Sequence, residues 1–493
     1  MKPSRSKHRL LYTIGLFAAL VGVQARAGID AEVEAVAQDK LLHRATLGVQ
    51  VISLGNGPSG MREVYARNAH QPLVPASNLK LVTTAAALER LGPDFKFRTT
   101  LSLSGPAGGA APDVVLTGDG DPTLGDAEYL KSVKWRPNAV FEAWAKELVG
   151  RGVTTVRDVV VDDGVFDELF VHPDWPADQL DEYYEAQVAG VNYNVNVLDV
   201  VVGANGGSVG TAPATAYATF KTALTPGTKR VFSITREPGT NVFDVRGDPP
   251  AGGGAVSRTV HDPALFAGTV LSETLAATGV KVAGTVRRDR TLRAKPPSAG
   301  GPVVTVVGIH ETPIAAVIGR ANKKSVNLYA ESLCKRIGYD PAKPAVPGSW
   351  ETGIAGVTSY LHAAGIPDTD FRLADGCGLS KRNAISPRAL TRVLCFEHYN
   401  RNKDAYLASL SVAGVDGTLE KRFERSDLRR RVFGKSGFVE GVSTVSGYLH
   451  SKDGGWYAFS VMINGIPAKS NGQVKLLQER IIKAVDAEAG SKK

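Results

Sequence analysis

Cysteine is scarce in this chain. Three thiols, Cys334, Cys377 and Cys395, are spread over 493 residues. A large fold with so few must rest on its hydrophobic core rather than on a disulfide framework, and sequence leaves open which two, if any, would pair. No CxxC, HExxH or His-rich cluster occurs, so no metal site and no cofactor is implied. No run of basic residues is interleaved with aromatics, which makes nucleic acid a poor partner. Heptads, dominant repeats and low-complexity tracts are missing too. What remains is ordinary globular material, 43% hydrophobic, with length for roughly two to four domains of about 150 residues.

Long apolar runs are also lacking, with one exception at the start. Lys2, Arg5, Lys7 and Arg9 precede an apolar stretch, Leu10 to Val23, and Ala25-Arg26-Ala27 follows it. Basic region, short apolar run and A-x-A site are the parts of a secretory leader, and the run is short for a membrane span. Cleavage after Ala27 and export to the periplasm or cell envelope are expected, with an uncleaved anchor as the alternative. The formal charge of +9 includes five Lys/Arg of the leader, so cleavage leaves +4. That mild balance suits an acidic wall polymer or anionic headgroups without deciding between them.

Residues 46–68 read as a hairpin. Leu47–Leu54 and Arg62–Ala66 are joined by Gly55-Asn56-Gly57-Pro58-Ser59-Gly60, a GxGxxG match read as a turn because no helix follows. A helical run after Pro75-Ala76-Ser77 carries Leu81, Ala85 and Leu88 on one face and stops at Gly92. From about 97 to 301 the texture becomes Gly-, Val- and Thr-rich, with short strands such as Val114–Leu116, Val159–Val161 and Val231–Thr235. Helix signals return at Ile314–Ile337, broken near Ala321–Ser325, and at Ser386–Tyr399. A hairpin, Val442–Leu449 and Trp456–Ile463, precedes a last helix with Val474, Leu477, Ile481 and Val485 on one face. The expected fold class is α/β (α+β): an antiparallel sheet flanked by helices, built from residues 28–96 and 302–493, with one or two β-rich domains inserted over 97–301.

Three motifs carry the chemistry. Ser77-Asn78-Leu79-Lys80 is one of three SxxK matches, beside Ser4 and Ser332, and the one that opens an apolar helix. Ser77 at a helix start has backbone N–H groups at hand for an oxyanion, and Lys80 shares its face one turn on. Burial and a second cation lower a lysine's pKa, which would make Lys80 a base. Ser325-Val326-Asn327 is the one S-x-N. Ser325 would relay a proton to a leaving amine, and Asn327 would hold the substrate amide and Lys80. Lys435-Ser436-Gly437, the one K-[ST]-G, lies in a strand-like run. Lys435 is the second cation, Gly437 admits a substrate backbone, and the Phe438 N–H would be a second oxyanion donor. Each motif has a bland reading alone: an N-cap serine, a helix cap, an edge lysine. Together and in order they point to a penicillin-interacting serine acyltransferase. Lys80 and Ser325 lie 245 residues apart (325 − 80), so something large is inserted between them. The acidic cluster Asp119, Asp121 and Asp126 reads as a turn, since the twelve-residue calcium loop pattern is absent.

These motifs resemble those of the D-alanyl-D-alanine carboxypeptidase/endopeptidases among the class C low-molecular-mass penicillin-binding proteins. The likeness extends to Leu116–Leu124, Val161–Asp167, Asp375–Ser380 with Asn383, Ser386 and Pro387, and Val412–Leu419. It implies a serine transpeptidase/β-lactamase-like domain with two insertions, the second nested in the first at about 195–255. By resemblance Ser77 is acylated, Lys80 is its base, Ser325 and Asn327 assist, and Lys435 with Ser436 binds a C-terminal carboxylate. Near Trp175–Gln179 it places Asp178 against the substrate's side-chain amine. Ser436 stands where Thr is usual, and bulky Phe438 where small residues are usual. The implied partners are peptidoglycan stem peptides, with β-lactams as covalent inhibitors; peripheral membrane contact through the last helix is a further candidate. The competing functions are a β-lactamase or esterase on the same fold and a non-catalytic wall-binding protein.

Overall fold

The computed structural model describes residues 28–105, 111–228, 231–294 and 303–490, so the leader lies outside the described residues. Two sheets organise the chain. The first is antiparallel and six-stranded, ordered Ser411–Val412, Val432–Val439, Val442–His450, Trp456–Asn464, Thr46–Ser53 and Arg62–Arg67. Its central strands are buried almost throughout because helices cover both faces. Tyr448, Ala458 and Met462 point into a core shared with the helices Leu79–Leu91, Asn327–Ile337, Trp350–Ala363 and Pro387–Tyr399. Their neighbours Val445, Leu449, Phe459 and Val461 point the other way, against Ile29–Ala37 and Asn471–Gly490. This is the period-2 alternation of a strand, with both faces made apolar by burial. Val474, Ile481 and Val485 of the last helix are buried there. The apolar side that suggested membrane contact is therefore occupied by the sheet.

The second sheet is mixed and five-stranded, ordered Val286–Arg288, Val159–Asp162, Asp113–Thr117, Lys96–Gly105 and Val303–Pro313. Val303–Pro313 pairs along Lys96–Gly105, so residues 303–313 belong structurally with the inserted segment rather than with the C-terminal one. The segment is rich in strands and holds helices among them. Ala139–Gly150 and Pro263–Ala277 are helices whose Phe141, Leu148, Phe266 and Leu271 fill a core with Val114, Leu116, Val159 and Val161. Asp262 caps the second helix through the Leu265 N–H, and Pro263 fits its first turn, where no N–H is needed. Between them, residues 197–259 form two three-stranded sheets.

Charged groups dock the inserted segment onto the helices of the first sheet. Asp126 receives a two-pronged bond from Arg320, both arms at 2.8 Å, and a bond from the Tyr329 hydroxyl at 2.5 Å. Asp119 pairs with Arg336 at 3.1 Å, and Asp167 with the buried Lys335 at 2.7 Å. Asp121 accepts from Thr123 N and the Thr312 hydroxyl. The acidic cluster Asp119–Asp126 is thus more than a turn: two of its three carboxylates answer arginines across the seam. All three cysteines are buried, unpaired thiols.

Candidate active site

Ser77 lies in a tight turn, Ala76–Asn78, that runs straight into the helix Leu79–Leu91. Leu81, Ala85 and Leu88 anchor that helix in the core, and Gly92, at φ +87°, ends it. Ala76 has φ +47°, a left-handed conformation that costs energy for a residue with a side chain and lifts the next residue out of the helix path. Neighbours hold this strain in place. The Thr444 hydroxyl donates to the Pro75 carbonyl at 2.8 Å, and the Asn78 amide to the Ser446 hydroxyl at 2.7 Å. Gly378, itself at φ +87°, presses so closely that a Cβ there would lie 1.9 Å from the Ala76 carbonyl oxygen.

Lys80 is fully buried one turn on. Its ammonium donates to Ser77 Oγ at 3.0 Å, Asn327 Oδ1 at 2.7 Å and the Cys377 carbonyl at 2.9 Å. All three acceptors are uncharged. Burial lowers the Lys80 pKa, and the neighbouring acidic groups Cys377, Glu331 and Asp375 oppose that shift to the extent that they ionise. A lysine so placed gives up its proton more readily than a free one and can accept another from Ser77.

Ser325 and Asn327 reach the cleft from a break between two helices, Ile314–Lys323 and Asn327–Ile337. Ser325 has φ +61° and does not cap the second helix, whose N-cap is Val326. Its hydroxyl instead accepts from Lys435 Nζ at 2.8 Å. Asn327 opens the helix; its amide oxygen faces Lys80 and its NH2 donates to the Tyr184 carbonyl at 2.7 Å. The inserted segment thereby fixes the orientation of Asn327.

Lys435 sits on the strand Val432–Val439, fully buried, with a second bond to the Ser436 carbonyl at 2.6 Å. Burial first, and then the charge of Lys80, hold its pKa well below the usual lysine range. Gly437 answers a steric demand. A Cβ there would lie 2.3 Å from Thr444 Oγ1 and 2.9 Å from the Ser77 nitrogen. The strand backbone therefore runs beside the nucleophile turn. Phe438 projects outward, 54% exposed, so its bulk stands beside the cleft rather than filling it.

Ser77, Lys80 and Asn327 thus form one hydrogen-bonded group and Ser325 with Lys435 a second, and the charge of Lys80 is felt at Lys435. Asp178 joins neither. It is exposed, in the acidic segment Asp174–Glu185 whose Tyr184 carbonyl holds Asn327. Four contributors escape sequence reasoning. Two are the backbone carbonyls of Cys377 and Tyr184, which no residue letter encodes. A third is the buried Glu331, behind Cys377, for which a lone glutamate one helical turn beyond Asn327 was the available signal; its neighbour Asp375 lay in the stretch Asp375–Ser380 marked by resemblance but without a role. The fourth is Glu185, whose buried carboxyl oxygens have no hydrogen-bond partner among the described residues. Burial first, then Asp178, Asp181 and Glu182, push its pKa up to about 8.

A serine beside a buried lysine, with a second serine held by a second lysine against an antiparallel sheet, is the equipment of a serine acyl-transfer hydrolase. The comparisons narrow that class. Residues 29–484 match the model of the D-Ala-D-Ala carboxypeptidase 3 (S13) family. The D-alanyl-D-alanine carboxypeptidase of Actinomadura sp. strain R39 is 34% identical over 459 residues, covering 88% of this chain and 80% of the relative. The crystal structure of penicillin-binding protein 4 from Haemophilus influenzae superposes with a TM-score of 0.76 at 22% identity, over 92% of this chain and 99% of that one. The same protein complexed with a β-lactam gives 0.72 at 22% identity, over 93% and 99%. The chain belongs to the D-Ala-D-Ala carboxypeptidase 3 (S13) family of penicillin-binding proteins and is a serine-type D-Ala-D-Ala carboxypeptidase.

Proposed function

We propose that this carboxypeptidase is exported, trims D-Ala from the D-Ala-D-Ala ends of peptidoglycan stem peptides through an acyl-enzyme on Ser77, and also cuts D-Ala cross-links. The observation that carries the reading is the triple contact of Lys80 with Ser77, Asn327 and the Cys377 carbonyl. Neutral Lys80 takes the Ser77 proton as Oγ attacks the penultimate D-Ala carbonyl. The N–H groups of Ser77 and Phe438 receive the oxyanion. Ser325, bonded to Lys435, relays the proton held by Lys80 to the leaving amine of the terminal D-Ala as the C–N bond breaks, which leaves Lys80 neutral again. Water then attacks the ester with Lys80 again as base, and Ser77 is restored. Lys435 and Ser436 bind the terminal carboxylate. β-Lactams present the same carbonyl with the leaving amine tethered in a ring, so acylation by them is slow to reverse.

Asp178 lies in an acidic stretch with Asp181, Glu182 and Glu185, a setting that favours a cationic side chain at the third residue of the stem peptide. Release of D-Ala from a D-Ala-D-Ala pentapeptide, with Ser77→Ala alongside, tests the reaction. The wild type should release one D-Ala per peptide and the variant none; release by the variant would remove Ser77 from the mechanism. Swapping a diamino acid at the third position for alanine should raise KM for the wild type but not for Asp178→Asn.

A further inference from the structure

Lys80 touches no carboxylate, yet two carboxylates stand directly behind it. Glu331 and Asp375 are both fully buried, and with Cys377 their ligand atoms lie within 4.8 Å of one another. Each is wrapped by N–H donors. Glu331 receives Cys377 N at 2.7 Å, Gly376 N at 3.0 Å and Trp350 Nε1 at 2.6 Å. Asp375 receives Gly378 N and Ser380 N, both at 2.7 Å, Asn383 Nδ2 at 2.8 Å and Trp175 Nε1 at 3.0 Å. Donors so numerous favour anions, while mutual repulsion and burial oppose a full double charge. Burial and then Asp375 push the Glu331 pKa up to about 7.

One peptide links this pair to the base. The N–H of Gly378 points to Asp375 and the carbonyl of the same peptide unit, that of Cys377, points to Lys80 Nζ. The peptide dipole is thus aligned from carboxylate to ammonium. The loop has no room to drift. A Cβ on Gly376 would lie 2.6 Å from Cys334 Cβ, and one on Gly378 would meet the Ala76 carbonyl. Thr83, on the nucleophile helix, ties the Gly376 carbonyl at 2.6 Å.

We propose that Asp375 and Glu331 are positioning residues of the acylation step, which hold the Cys377 carbonyl on Lys80 and set how readily Lys80 gives up its proton. The inference rests on Lys80 being the base. The charged and titratable groups facing Lys80 are Glu331, Asp375, Cys377 and, from the opposite strand, Lys435. Those facing the pair are Lys80, Lys335, Cys334 and Cys377. Anions behind the carbonyl favour the ammonium, so neutralising one should lower the Lys80 pKa. The acid limb of acylation, which rises as Lys80 becomes neutral, should then move to lower pH.

The test is the pH profile of acylation by a labelled penicillin, on the full folded protein. Asp375→Asn should lower the acid midpoint by about half a pH unit or more, beside a loss of maximal rate. Glu331→Gln should move it the same way. Glu331→Asp keeps the charge but withdraws it by a methylene, and should slow acylation with the midpoint unmoved. Thr83→Val loosens the same loop without touching either charge and should behave like Glu331→Asp. An unmoved midpoint in a folded Asp375→Asn or Glu331→Gln, or an equal shift in Thr83→Val, overturns the inference. If neither neutral variant folds, an undiminished rate in Glu331→Asp does so. Lys80→Ala, run alongside, separates the two readings: its inactivity with an unmoved Asp375→Asn midpoint refutes the inference alone, and its full activity refutes the role of Lys80 as base.

Discussion

The cleft and the docking seam use the same residue types in opposite ways. At the seam, Lys335, Arg320 and Arg336 are removed from water, and each is bonded to a carboxylate of the inserted segment. Lys335 also lies 3.8 Å from the centre of the Trp350 ring. In the cleft, Lys80 and Lys435 are just as buried, but their hydrogen-bond partners are hydroxyls, an amide and backbone carbonyls. Burial lowers the pKa of a lysine at both places, but one with a carboxylate in contact, as Lys335 has in Asp167, meets close opposition to that shift and fastens structure. One whose anions stand a peptide away can give its proton up. Lys80 and Lys335 therefore differ in the partner each ammonium bonds, not in burial.

The largest effect should come from removing the nucleophile. Ser77→Ala should lower D-Ala release by about 10⁴-fold or more with the melting temperature kept, measured by amino acid release. Lys80→Ala should follow, with a loss of about 10²–10⁴-fold in acylation rate. At the seam the balance should invert. Lys335→Met strands the Asp167 carboxylate and should cost about 3 kcal/mol of stability in denaturant titration, while acylation by penicillin stays within an order of magnitude. A Lys335 variant that stayed stable but lost acylation would erase the distinction between the two regions.

The smallest effect concerns Glu185. Its pKa is raised from 4.5 to about 8, so between those values the folded state keeps a proton that the unfolded chain has released. Stability should therefore fall as pH rises through that window. Glu185→Gln should remove this part of the decline, read as a smaller drop in melting temperature between pH 6 and pH 9.

Much of this was legible from residue letters. The hairpins at 46–68 and 442–463 showed as strand runs about Gly-rich turns, and the order of SxxK, SxN and KSG marked five side chains that the fold places in two hydrogen-bonded groups. The helices Ala139–Gly150 and Pro263–Ala277 were masked by the Gly- and Val-rich texture around them, although Asp262-Pro263 was a start signal. The pairing of Val303–Pro313 with Lys96–Gly105 is a contact over some two hundred residues, beyond what local periodicity encodes. Asp119 and Asp126 looked like turn residues because their arginines lie far along the chain. The Cys377 and Tyr184 carbonyls belong to backbone, and only the folded loop shows where they point.

The most direct test of the central claim is the intact mass of the protein after incubation with benzylpenicillin, followed by peptide mapping. A Ser77 activated by Lys80 predicts one slowly lost adduct per chain, located on Ser77, absent in Ser77→Ala and formed far more slowly in Lys80→Ala. An adduct on another residue, or undiminished labelling of Lys80→Ala, would contradict it.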